Sequence, residues 1–193
     1  MGVSMGNFLC RPAIVTAKKS LLWGLFWMSV GAILGWYFSV VPTSIVDYTW
    51  GRTALISYVI YGLLIWVSLA VPTLLIALLL RRRVVVWELF GRMLYAHIPV
   101  TFIMLPAMFG DKVSFSIFMS SPFSSQLSLP YVVLMLLYVV VLVAWFFYWS
   151  YVVFRHATQL KGFVCVVLFV VALTISYWMS EYAIGGLMTL GDI

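Results

Sequence analysis

The chain has 193 residues, of which 65% are hydrophobic and only 8% charged, with a mean hydropathy of +1.15. An ordinary soluble domain is about 45–50% apolar and about 25% charged, and a core of this size cannot hide the excess, so lipid must be the solvent for most of the chain. The net charge of +6 gathers at the ends of apolar runs, which points to anionic lipid headgroups and away from nucleic acid.

The first twenty residues carry Arg11, Lys18 and Lys19 and no acid. The apolar run 21–41 that follows is about 20 residues long and lacks a small-x-small cleavage site, which predicts a retained first helix and not a secretory signal. The Met-Gly start does not meet the myristoylation pattern, which wants Ser or Thr where Gly6 stands. Cys10, beside the first span, is a candidate for palmitoylation, whereas Cys165 reads as a small packing residue, and neither has a second cysteine at disulfide or metal-ligand spacing. Gly31 and Gly35 form a GxxxG pair with Gly24 on much the same face. Such a strip lets another helix approach closely, within the protein by default and between copies as the alternative.

After Pro42 a short link holds Asp47, Tyr48, Trp50 and Arg52, a mixture suited to a membrane interface. The second run, 53–80, has no charge over 28 residues, where about 20 would span, and Pro72 is the place for it to bend. Then comes the densest charge in the chain, Arg81, Arg82, Arg83 and Arg92, with Trp87 and Glu88 between them. A short helix here would lie flat, with Trp87 and Phe90 at the acyl boundary and the arginines on phosphates or a partner protein. The plainer reading is that these arginines only stop translocation.

The third run, 93–109, contains Pro99 and Pro106. It is predicted to cross as a short, proline-broken helix, with a re-entrant element as the alternative. His97 is the one ionisable residue expected inside a span. Counted from Arg92, it lies about 7–8 Å down the helix, an interfacial depth where it acts as proton carrier or ligand, or more simply as a neutral ring bonded to a carbonyl. His97, Pro99, Pro72 and Pro106 are thus the candidate intramembrane polar and hinge positions.

Serines interleaved with aromatic residues from 113 to 130 read as a loop lying on the membrane surface as a cap. The fourth run, 131–154, leads to Arg155, His156 and Lys161 in a solvated turn, and the fifth, 162–180, closes at Glu181 and a glycine-containing tail. Runs of this length without period-2 alternation are helices and not barrel strands. The expected fold is therefore an all-α polytopic membrane protein of five transmembrane helices in a single domain. Nine of the eleven Lys and Arg fall on one side of such a fold, which predicts a cytoplasmic N-terminus and an external C-terminus.

The five acidic residues all lie near segment ends, and no pair of them shares a helical face at membrane depth, as general acid–base work would need. HExxH, GxSxG, P-loop and dinucleotide-binding patterns are absent. The expectation is a protein that is not an enzyme, with no metal and no cofactor.

Gly91 to Met108 reads GRMLYAHIPVTFIMLPAM, with a basic approach, a Tyr-Ala and a proline two residues after His97. This resembles the middle of the Yip1 domain. Phe8 to Ala13 (FLCRPA) is similar to the family's proline-bearing lead-in, and Arg155 to Gly162 (RHATQLKG) to its polar turn between the last two spans. The resemblance covers most of the chain and implies five spans, an external C-terminus and a scaffold or trafficking-type role without catalytic residues. Eukaryotic members associate with small GTPases, but the long acidic N-terminal region and the Asp-Leu-Tyr-Gly-Pro string are missing here. A relative in a bacterial cytoplasmic membrane fits better, acting on anionic headgroups, other membrane proteins or itself. The alternative is a small permease-like subunit with a midplane site around the three prolines. A lipid enzyme using His97 is the third reading.

Overall fold

The computed structural model describes Pro12 and residues 15–51, 53–109 and 112–191. Cys10, Arg11, Arg52, Asp111, Asp192 and all but Pro12 of the FLCRPA lead-in lie outside them. The protein is an all-α polytopic membrane protein with five helices long and apolar enough to span a bilayer. In chain order these are α1 (Ala17–Phe38), α2 (Leu55–Leu79), a composite third span over Val86–Ala107, α7 (Leu129–Thr158) and α8 (Gly162–Gly191). They run alternately up and down, giving the bundle an arginine end, where α2 and α7 finish, and a hairpin end, where α1 finishes and α2 begins.

The third span is the hub. Of its apolar window 72% is buried within the protein, against 22–39% for the other four, so it faces protein where they face lipid. That explains its composition: a helix shielded by neighbours can carry prolines and polar groups that lipid would not tolerate. It is built in pieces, α3 (Val86–Ala96), α4 (Ile98–Thr101), a 3-10 turn at Phe102–Met104 and α5 (Leu105–Phe109). The break falls at His97, two residues ahead of Pro99, which has no N–H to continue the helical ladder and is tolerated in the first turn of the new helix. Pro106 deprives the Phe102 carbonyl of its usual donor four residues on. The Tyr138 hydroxyl of α7 donates to that carbonyl at 2.7 Å, so a neighbouring helix repairs the gap.

Residues 86–92 do not form a flat surface helix. They are the opening turns of the third span, with Leu89 and Gly91–Ala96 buried and α3 packed along α1. A Cβ on Gly91 would meet the Ala17 carbonyl at 3.1 Å, and the Trp66 indole donates to the Phe90 carbonyl at 2.7 Å. The span therefore starts seven residues earlier than the apolar run suggests. His97, eleven residues after Val86, lies about 16 Å along the helix, at the middle of the span and not at interfacial depth. The reason is that Arg92, which looks like an anchor outside the membrane, is paired with Glu88 inside the helix.

Glycines on α1 let the hub, α2 and the hairpin approach. Gly24 faces Leu94, Gly31 faces Thr101 and Gly35 faces Tyr58 and the Val40 carbonyl, all at 3.0 Å or less from where a Cβ would stand. Pro72 is buried within α2, which continues through it to Leu79. α8 runs past Glu181 and its glycines to Gly191, so the tail expected there is helix.

The link after α1 is an antiparallel hairpin, β1 (Val40–Pro42) with β2 (Tyr48–Trp50), pairing Val40 with Trp50, Val41 with Thr49 and Pro42 with Tyr48. Its tip turns inward: Ser44 and Ile45 are almost completely buried, and Ile45 packs in the main core with Tyr58, Tyr61, Ile65, Tyr95 and Ile98. The serine-rich stretch begins as helix α6 (Lys112–Ser120), not loop. Phe115 and Phe118 bury into a smaller cluster with Phe38, Val40 and Met104, covering the hairpin end, and Ser116 and Ser120 turn to the exposed side.

Candidate functional site

At the arginine end α2 stops in a Schellman turn. The Arg82 N–H bonds the Ala77 carbonyl at 2.9 Å and the Arg81 N–H the Leu78 carbonyl at 2.8 Å, with Arg81 in the left-handed region at φ 54°. The chain then extends to Val85 and enters α3, where Glu88 in the first turn complements the helix dipole. One turn further, Arg92 places its Nη2 2.6 Å from Glu88 Oε1. Arg92 is only 8% exposed, and its Nε is buried without a partner.

Opposite this stands the end of α7, which stops at Thr158 with Gln159 in the left-handed region. Between the two elements lies a cavity of about 330 Å³ lined by Arg82, Arg83, Glu88, Arg92, His156 and Gln159, with valine and leucine walls. A second cavity of about 350 Å³ shares His156 and Gln159 and adds Tyr148, Tyr151, Arg155 and Lys161. The two basic stretches, over sixty residues apart in sequence, thus form one concave cationic surface. Of the residues singled out by sequence, Arg82, Arg83 and Arg92 line it. Arg81 and Trp87 do not; Trp87 is 73% exposed beside it. His156, read as a solvated turn residue, lies between the cavities. Sequence reasoning missed it because nothing in the RHATQLKG turn reveals which loop it faces.

The His97 region is the opposite in character. The ring bonds the backbone of Ile45 at the hairpin tip, packs edge-on to Phe146 at 5.5 Å, and keeps its Nε2 buried without a partner. Beside it is a space of only about 50 Å³, bordered by Thr101, Tyr58, Met28 and Gly31, enough for a water molecule. The hairpin is held by the Tyr58 hydroxyl on the Gly51 carbonyl at 3.2 Å, by Ser44 Oγ on Asp47 Oδ2 at 3.3 Å, and by Tyr177 of α8 on Asp47. Burial pushes the Tyr48 phenol well above its ordinary range, so it stays protonated. Pro99 is buried just beyond His97, while Pro72 and Pro106 lie on other segments and do not join this space.

No family model, curated protein or solved structure matches the chain. Among the described residues no three His, Cys, Asp or Glu side chains gather to hold a metal. The arginine end offers charge and hydrogen-bond donors to an anion. The His97 region offers one imidazole beside a small, mostly apolar space.

Proposed function

We propose that this is a non-catalytic membrane protein of Yip1-like type that works by interaction, engaging anionic lipid through its arginine end. The observation that carries this reading is the concave cationic surface where Arg82, Arg83 and Arg92 meet His156 and Gln159. It stands at the end of the bundle where the five apolar helices begin or end, the level at which lipid phosphates lie. The exposed Trp87 next to it suits the same boundary. The charge distribution supports a cytoplasmic arginine end and N-terminus and an external C-terminus, and the resemblance to bacterial Yip1-like proteins favours a bacterial cytoplasmic membrane as the site of action. With cysteines at Ser125 and Gln159 in a background free of Cys10 and Cys165, an impermeant thiol reagent added outside should label only the first.

The second reading, a small permease-like subunit, draws on the His97 region, since a broken central helix and an inward-turned hairpin resemble the parts of a midplane site. One experiment separates the two. Purified protein is reconstituted in liposomes and assayed for solute uptake, alongside crosslinking in native membranes. Stable lipid or protein partners without flux support the interaction reading. Uptake that disappears in His97→Ala overturns it.

A further inference from the structure

We propose that the cavity at the arginine end is a phosphoryl site, that its ligand is a membrane lipid with a terminal phosphomonoester, and that Glu88 is the resident counter-ion this ligand displaces. The proposal rests on the interaction reading and names its ligand.

Three features of the cavity carry it. The first is charge: three guanidiniums against one carboxylate leave +2 on the lining. A phosphomonoester carries about −1.5 to −2 at neutral pH, whereas a phosphodiester headgroup carries a single charge, so the monoester is the better electrostatic match. The second is the state of Arg92. One fork position is spent on Glu88 and the adjacent Nε has no partner, although the side chain is nine-tenths buried. Arginine recognises oxyanions through two parallel N–H bonds. A phosphoryl oxygen completes that fork, and Glu88, itself 38% exposed, is free to swing outward.

The third feature decides between a lipid and a soluble phosphate. The neighbouring cavity continues past His156 to Arg155 and Lys161, and along α7 to Tyr148 and Tyr151. Above these, Val140 and Val141 of the same helix are each 62% exposed on the apolar surface. A phosphate held at Arg92 therefore leaves a way out past Arg155 and Lys161 and over Tyr148 and Tyr151 to the apolar face of α7, on which acyl chains lie. At about 330 Å³ the first cavity falls within the range of small-ligand sites.

The test uses the full chain in nanodiscs of zwitterionic lipid, with binding followed by native mass spectrometry or tryptophan fluorescence. Dioctanoyl phosphatidic acid, dioctanoyl phosphatidylglycerol and glycerol 3-phosphate are titrated. The monoester lipid should bind saturably, and about tenfold more tightly than the diester, as expected for an added charge-assisted contact. Glu88→Gln should tighten it, since the internal competitor is gone. Arg92→Gln should weaken it, but that side chain is buried and the variant can misfold. The double variant R82A/R83A alters exposed residues only and should cause a similar loss while the thermal transition stays unchanged. Equal binding of monoester and diester, both lost in the double variant, overturns the phosphomonoester assignment while leaving the interaction reading intact. Glycerol 3-phosphate binding as tightly as the lipid overturns the lipid source. If no anionic lipid binds above the zwitterionic background, both readings fall.

Discussion

The arginine end and the His97 region hold most of the protein's unusual polar groups, and the protein treats them in opposite ways. At the arginine end the charges converge on an open cavity, and among the described charged residues only Arg92 is buried, held by Glu88 at 2.6 Å. Around His97 the polar groups are tied to one another or to the backbone: His97 to Ile45, Tyr58 to Gly51, Tyr138 to Phe102, and Asp47 to Ser44 and Tyr177. A bilayer makes bare charge costly at depth but permits it at the headgroups. The first region is thus arranged for a partner from outside, while the second is largely satisfied from within. Substitutions near His97 should therefore cost stability, and those at the exposed arginines should cost binding.

The largest expected effect is on the hairpin side. Ile45 is 2% exposed and fills the core from the tip of a loop, so Ile45→Ala should destabilise the protein by about 2–5 kcal/mol. Unfolding in mixed micelles measures this directly. A loss close to zero would mean that the tip is not seated in the bundle, and the contrast between the two regions would collapse.

Next in size is Gly35→Ala. Its Cβ would stand 3.0 Å from both the Tyr58 ring and the Val40 carbonyl oxygen. The carbonyl belongs to the paired hairpin and cannot swing aside, so overpacking should cost about 1–3 kcal/mol. The same assay, with oligomeric state measured alongside, distinguishes this internal clash from a role between copies. Dissociation of a dimer without loss of monomer stability would favour the latter.

His97→Leu should have a smaller net effect. It removes the donor to Ile45, and an unpaired buried carbonyl costs about 1–3 kcal/mol. It also removes the unpartnered Nε2, which offsets part of that cost, leaving about 1 kcal/mol. Full stability combined with complete loss of a transport or binding activity would show that His97 serves a ligand and not the fold.

Much of this architecture was legible in the chain. Apolar length alone gives the five helices, because a bilayer demands about 20 apolar residues of any span. The third one misleads for a physical reason. Arg92 interrupts the apolar run, and a reading by hydropathy cannot know that Glu88, one turn away, will pair with it within the helix. The hairpin was hidden as well, since Val40–Pro42 and Tyr48–Trp50 are too short to show a strand period. At the site, Arg82, Arg83 and Arg92 stood out by charge density. His156 and Gln159 did not, because only the packing of α7 against the third span brings them across.

The smallest effect sharpens the comparison most, because it separates charge from position within one run of arginines. Arg81 occupies the left-handed site of the Schellman turn, a position glycine fills without steric cost. Its side chain does not line the cavity. Arg81→Gly should relieve backbone strain of about 1–2 kcal/mol. Glycine's greater freedom in the unfolded chain takes back about 0.5–1 kcal/mol of that, so the net gain is about 0–1.5 kcal/mol. Binding of dioctanoyl phosphatidic acid should be nearly unchanged, although the variant loses the same formal charge as Arg82→Ala. If instead Arg81→Gly weakens binding as much as Arg82→Ala does, the arginine end works as a diffuse cationic field, and the cavity is not its site.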